Sequence, residues 1–458
     1  MIVSAGKAKV AAWWGLILLC IALILHPPWQ DWAPKERSAG DERVTLAVLE
    51  LQSRLLLGAA QTQPIGLEEK LAEMEAWAVT DESAAAVAAL RFFIDPQGDG
   101  KWRALALVNL RLQAADAFHG AARNRSLLEE VRGVLEHPDQ LSEEGREQIL
   151  GQMGWFGEVL LAGMEPEGEL AMALRKRSLL MVYVSGRLAV LAFVAALLGL
   201  VLLSFALYQL KEGQLELSGI AEGIPMLPFL AAFALFLALM VLSDFLSITV
   251  DPRIRFAGMF VPAGVAFVWP SLCGLTWRQS LRGFGWRRGK GVWREMGAGV
   301  VGYLAMAPVF ALGLSATLIL GILAAWLAKQ GASAEPVEAA GHPVTHPIVA
   351  ALADGGWKIK LAVLFLASGL APLFEETLFR GALYGVFRKR WGFVLSALAS
   401  GFIFAVIHPQ GWVAIPALTS MGFGFAIIRE WRGTVIASMT AHSLHNGILV
   451  CSLLLALS

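Results

Sequence analysis

The sequence predicts an all-α polytopic membrane protein: a bundle of about eight transmembrane helices, an N-terminal anchor helix and an extramembrane all-helical domain. Three observations carry that expectation. The 458 residues are 57% hydrophobic and 16% charged, with a mean hydropathy of +0.61, whereas soluble chains sit near about 45–50% apolar and about 25% charged. The apolar residues gather into runs that approach or exceed the roughly 20 residues needed to cross a hydrocarbon core. One long stretch, from Gln30 to about Arg177, instead alternates apolar and polar residues at helical spacing.

The first run, Val10–Leu25, follows Lys7 and Lys9. Leu25-His26-Pro27-Pro28 offers no pair of small residues for signal peptidase, so residues 1–28 are expected to be a cytoplasmic tail and an uncleaved transmembrane anchor. Residues 29–180 form the expected extramembrane domain. Its helical segments are Asp41–Gln61, Leu67–Val79, Asp81–Ile94, Lys101–Ala122, Ser126–His137 and Ser142–Met153. Breaks such as Gln63-Pro64-Ile65-Gly66, Asp95-Pro96-Gln97-Gly98 and His137-Pro138-Asp139 separate them. Asp41, Asp81 and Ser142 are the expected N-caps. Stacked helical hairpins of the solenoid kind are the expected packing, although no repeat signature is present. No catalytic set assembles in this domain, so its expected work is binding a protein partner or regulation.

Residues 181–458 hold eight further runs, near Gly186–Leu210, Ile224–Val250, Phe256–Trp277, Met296–Leu327, Ile359–Phe387, Trp391–His408, Trp412–Ile428 and Thr434–Leu457. A polar loop separates Lys329 from Gly356. With the N-terminus inside, the cytoplasmic segments carry Lys7 and Lys9, then Lys211, then Arg278 to Arg294 with six basic residues, then Arg388-Lys389-Arg390, then Arg429 and Arg432. This is the positive-inside pattern, opposed only by Arg175-Lys176-Arg177, Arg253 and Arg255. Nine spans in a bacterial cytoplasmic membrane are expected, with residues 29–180 external. The basic loop suits topology and anionic lipid contact, and tryptophans at run ends, Trp286 and Trp391 among them, suit the interface. The formal net charge is +0, so nucleic acid is not an expected partner. Cys20, Cys273 and Cys451 all lie in apolar runs and form neither a disulfide framework nor a metal cluster.

Ionisable residues inside spans are costly and mark function by default. Ala371-Pro372-Leu373-Phe374-Glu375-Glu376-Thr377-Leu378-Phe379-Arg380 places two carboxylates and a guanidinium in one run. His408 closes the next, and His442, His445 and Asn446 sit in the last. Measured by helix rise, Glu375 lies roughly 21 Å from the turn at Lys389 and His408 roughly 25 Å from Trp391. From the turn at Arg432, His442 is about 15 Å deep and Asn446 about 21 Å. Similar depth makes one site of them. Glu376 and Arg380 have the i,i+4 spacing of a helix ion pair, which leaves Glu375, about 100° away, free to act on water as a base. His408 is a second base or proton shuttle. His442 and Asn446 share a face and suit donors to a developing oxyanion; His445, three residues from His442, is the competing donor. Pro372 removes a backbone hydrogen bond to Ser368 and is expected to kink the helix.

The ordered set Glu375-Glu376-x-x-x-Arg380, Phe404-x-x-x-His408 and His442-x-x-x-Asn446 resembles the CAAX-protease and bacteriocin-processing (ABI) family of intramembrane glutamic endopeptidases. The resemblance covers roughly Arg187–Ser458. It implies proteolysis of a protein or peptide substrate, with a glutamate and a histidine activating water and a histidine and an asparagine holding the oxyanion. No cofactor is implied, although Glu375, His408 and His442 are also a conceivable zinc set. The alternatives are a non-catalytic scaffold or immunity protein of the same fold, and a proton-coupled transporter. Clustering of the ionisable residues in the C-terminal half only argues against transport.

Overall fold

Segments apolar on every side satisfy their backbone in lipid only by coiling into helices, and the fold is built from helices accordingly. The computed structural model describes residues 2–28, 38–62, 66–77, 80–117, 125–251, 254–329, 351–352 and 356–457, and among these there is no β-strand. The chain divides into two compact units, one built on residues 38–190 and one on the N-terminal helix with most of residues 191–452.

In the first of these, α2 (Ser38–Ala60), α3 (Leu67–Trp77), α5 (Asp99–Ala117), α6 (Arg125–Glu136) and α8 (Trp155–Met164) all pack on α4 (Asp81–Ile94), with α7 (Glu143–Met153) against α6 and α8. In a solenoid each hairpin touches only the adjacent hairpins, whereas α4 also packs on the distant α8, so the expected stack of hairpins gives way to a central-helix bundle. The reason lies in α4 itself. Its run from Ala84 to Leu90 is buried on every side, and a helix apolar all round needs a complete jacket. The buried Arg91 at its end is held by Glu75 and by Glu68 at 3.1 Å.

Ser142 caps α7 by accepting from the Gly145 amide at 3.1 Å. Asp81 is displaced by one position. Thr80 is the cap of α4, in a reciprocal box with Ser83, and Asp81 occupies the first turn, where its charge complements the helix dipole. α2 begins at Ser38, which puts Asp41 inside the helix. The break at Gln63-Pro64-Ile65, Arg253, and the loop after Lys329 up to Ala350 lie outside the described residues.

The other unit contains α1 (Ile2–Leu25), the C-terminal part of α9 (Glu169–Lys211), α10 (Leu227–Thr249), α11 (Ile254–Leu272), α12 (Trp277–Phe284) and α13 (Val292–Lys329). It continues with α14 (Trp357–Arg388), α15 (Phe393–Val406), α16 (Ile415–Arg432) and α17 (Val435–Leu457). Among the described residues, seven helices are long and apolar enough to cross a membrane: α1, α9, α10, α13, α14, α16 and α17. Two of the nine expected spans appear as shorter apolar helices, Phe260–Leu272 and Phe393–Val406. In α15, Gly392 caps the start and Ile407 the end, which leaves roughly 21 Å of helix at 1.5 Å per residue.

The bundle is closed at its basic end by backbone stitching. Arg287 donates twice to the Gly433 carbonyl, at 2.6 and 3.0 Å, and Thr434 donates to the Arg287 carbonyl at 2.8 Å. Arg432 pairs with the buried Glu295 at 2.7 and 2.8 Å. Part of the basic loop therefore works as structural clamp besides any topological role. Trp286, expected at the membrane interface, donates its indole N–H to Thr377 of α14 at 3.1 Å.

Candidate active site

The carboxylates sit where α14 departs from α-helical geometry. It is α-helical over Trp357–Phe365, Ala371–Glu375 and Tyr384–Arg388, and π-helical over Leu366–Leu370 and Glu376–Leu383. Short π segments inside α-helices gather at functional sites. In the first one the Ala371 amide bonds to the Leu366 carbonyl, five residues back. The next bond in that register would run from residue 372 to Ala367, but residue 372 is proline and has no N–H. The orphaned carbonyl is thus Ala367 rather than Ser368. Asn446 fills the gap: its Nδ2 donates to the Ala367 oxygen at 2.8 Å.

Glu376 and Arg380 are fully buried and pair at 3.0 Å. This contact lacks hydrogen-bond geometry, and Arg380 Nη1 and Nε have no hydrogen-bond partner among the described residues. Arg380 is held instead by its Nη2 bond to the Gly422 carbonyl at 3.2 Å and by aromatic faces. Its guanidinium carbon lies 4.6 Å from the Phe404 ring centroid, 5.3 Å from Phe425 and 5.8 Å from Phe379. A cation over ring faces is stabilised where water is absent. The Gly422 carbonyl comes within reach because α15 and α16 cross at Gly401 and Gly422, where a Cβ on Gly401 would fall 2.7 Å from the Phe423 nitrogen.

His442 joins the two carboxylates. Its Nδ1 donates to Glu376 Oε1 at 3.0 Å, its Nε2 lies 3.7 Å from Glu375 Oε2, and its ring stacks on Phe425 at 4.8 Å. Glu375 is 28% exposed where Glu376 is 0%, so adjacent carboxylates live in opposite surroundings. His408 donates Nδ1–H to the Phe404 carbonyl at 2.5 Å, because a carbonyl can only accept, and in the neutral ring this leaves Nε2 as the acceptor. The ring lies within electrostatic range of Glu375 and His442.

The structure thus brings Glu375, Glu376, Arg380, His408 and His442 together. Asn446 stands one turn from His442, with one amide hydrogen committed to Ala367. His445 is turned away: its Nδ1 meets the Tyr303 hydroxyl of α13 at 3.2 Å and its ring packs on Phe310. The His442–Glu376 bond has no signal in the sequence, since a π register hides which carboxylate faces α17. Among the described residues, no three His, Cys, Asp or Glu side chains are grouped to hold a metal ion.

Residues 357–448 match the family described as type II CAAX prenyl endopeptidase, Rce1-like. That stretch is Rce1-like. It contains all seven residues singled out above and runs from the start of α14 well into α17. At the family level the match supports a CAAX-type intramembrane protease acting on a peptide or protein substrate. Together with the seven apolar helices, it makes the chain an integral membrane protein. No curated protein and no solved structure matches the chain.

Proposed function

We propose that the chain is an intramembrane endopeptidase of the glutamic type. Glu375 and His408 hold a water between them, and Glu375 takes its proton as the oxygen attacks the peptide carbonyl. The tetrahedral oxyanion accepts hydrogen bonds from His442 Nε2 and from the second Nδ2 hydrogen of Asn446. As the C–N bond breaks, the proton held by Glu375 passes through His408 to the departing amine, so one water and one peptide bond give a carboxylic acid and an amine. Glu376 and Arg380 position His442, and His445 braces α17 without touching substrate. The observation that carries this reading is the asymmetry of the carboxylate pair: Glu376 is buried between Arg380 and His442, while Glu375 is part-exposed beside both histidines.

Charge counting supports the role of His442. Two carboxylates against one guanidinium leave an excess negative charge, and a doubly protonated His442 would close the balance and supply an N–H at Nε2 for the oxyanion. No step calls for a metal. Nine spans, an internal N-terminus, residues 29–180 outside and a protease domain over 181–458 complete the proposal, resting on the loop charges.

The test is cleavage of a broad peptide library by purified protein in detergent, wild type beside Glu375→Ala and His408→Ala. Loss of cleavage in both folded variants is the expected result. Equal cutting by all three proteins would remove these residues from the mechanism.

A further inference from the structure

Away from the glutamate cluster, at the Arg388 end of α14, the membrane unit holds a cleft of about 640 Å³. Ligand sites fall in the range of about 300–1,000 Å³. Val10 and Trp14 of α1 form one side, Leu227 and Leu230 of α10 another, and Phe387 the base. Trp14 stacks on Phe387 at 5.3 Å and Phe387 on Trp391 at 4.8 Å, so one wall is a continuous aromatic surface. The remaining lining includes Lys389 and Arg390, both exposed, and no acidic residue. Arg388, directly before them, is neutralised by Glu430 at 3.0 Å; among the described residues Lys389 and Arg390 pair with no carboxylate.

An uncharged chain gains nothing from two free cations, and a soluble anion gains nothing from a tryptophan-lined cleft. Both features together, at the border of an apolar helix bundle, fit an anionic amphiphile. We propose that this cleft binds one anionic phospholipid of the surrounding leaflet, with an acyl chain lying between α1 and α10 and the phosphate on Lys389 and Arg390. The lipid would tie the anchor helix to the helix that carries Glu375. This site is independent of the proteolytic reading.

Full-length protein in neutral detergent, titrated with phosphatidylglycerol and phosphatidylcholine of identical chains and read by native mass spectrometry, tests it. Choline cancels the phosphate charge in phosphatidylcholine, and each cation contributes a factor of about 5 toward a net anionic headgroup, so wild type is expected to retain phosphatidylglycerol roughly 25-fold more readily. Lys389→Ala with Arg390→Ala should bring the two lipids level. Leu227→Trp, which fills the cleft, should weaken both. Arg278→Ala with Arg294→Ala, exposed cations of the basic loop, should leave the preference unchanged. Equal retention by wild type overturns the proposal and leaves the cleft to an uncharged chain or a partner helix. A preference that survives loss of Lys389 and Arg390, or falls as far with Arg278 and Arg294, overturns it in favour of general surface attraction.

Discussion

The chemistry proposed for this protein rests on a few side chains whose surroundings differ sharply over one residue. Glu376 is fully buried between a cation and an imidazole; Glu375 is part-exposed. Removing one partner of a buried ion pair leaves the other uncompensated, at about 3–5 kcal/mol. Glu376→Gln is therefore expected to lower the thermal midpoint substantially by stranding Arg380, whereas Glu375→Gln should leave the midpoint near that of wild type while abolishing turnover. A scanning-fluorimetry midpoint beside a cleavage rate separates the two. The paired histidines differ likewise. His442→Ala should cut kcat by about 10²–10³, the loss typical of one oxyanion donor. His445→Ala should keep most of its turnover and lose about 1 kcal/mol of stability with its Tyr303 bond; turnover lost with His445 and kept without His442 would reverse their roles. At this scale the sequence was readable in kind but not in contact. Spacing places Glu376 beside Arg380, yet nothing in the letters says that His442 completes the pair.

Among the elements, α14 depends on a missing proton donor. Pro372→Ala restores an N–H at the position that leaves the Ala367 carbonyl open, so the backbone regains its bond and the Asn446 amide loses its anchor. The expected outcome is equal or greater stability with about a tenfold fall in kcat and little change in KM; unchanged turnover would show that Asn446 needs no anchoring. Gly422→Ala acts on the α15–α16 crossing, where the new methyl would meet Gly401 Cα at 2.5 Å. Helices forced apart there carry the Gly422 carbonyl away from Arg380, and both stability and cleavage should fall. Periodicity located most of the helices of the chain, α4 to the residue, because apolar spacing is a local property. The π registers, the jacket around α4 and the shortness of α15 escaped it, since each is decided by partners far along the chain.

For the whole molecule, the mechanism assigned here predicts that chelation of divalent metals leaves cleavage unaltered; activity lost to a chelator and restored by zinc would place a metal at Glu375, His408 and His442 instead. Topology has natural reporters. Cys273 is exposed and follows α11, while Cys20 is buried. In a Cys451→Ser background, a membrane-impermeant maleimide is expected to label Cys273 in inverted vesicles and not in intact cells; the opposite result would invert the orientation read from the loop charges. The resemblance to intramembrane endopeptidases was legible because its three motifs keep their order, and the family match falls on the same residues. Span number was less so, because hydropathy reports the cost of each segment in lipid and not how the segments share the crossing.

The aromatic enclosure of Arg380 also bears on how the chain enters a membrane. As α14 leaves the translocon its window has a mean hydropathy of 1.5, the third lowest of the seven, and a lone arginine at the centre of a span costs about 2.5–3.5 kcal/mol to insert. Phe404 and Phe425, which shelter that charge, belong to α15 and α16 and are translated later. Stable integration of α14 is thus expected to wait for its successors, so that the carboxylates meet their partners during biogenesis before they are left alone in lipid.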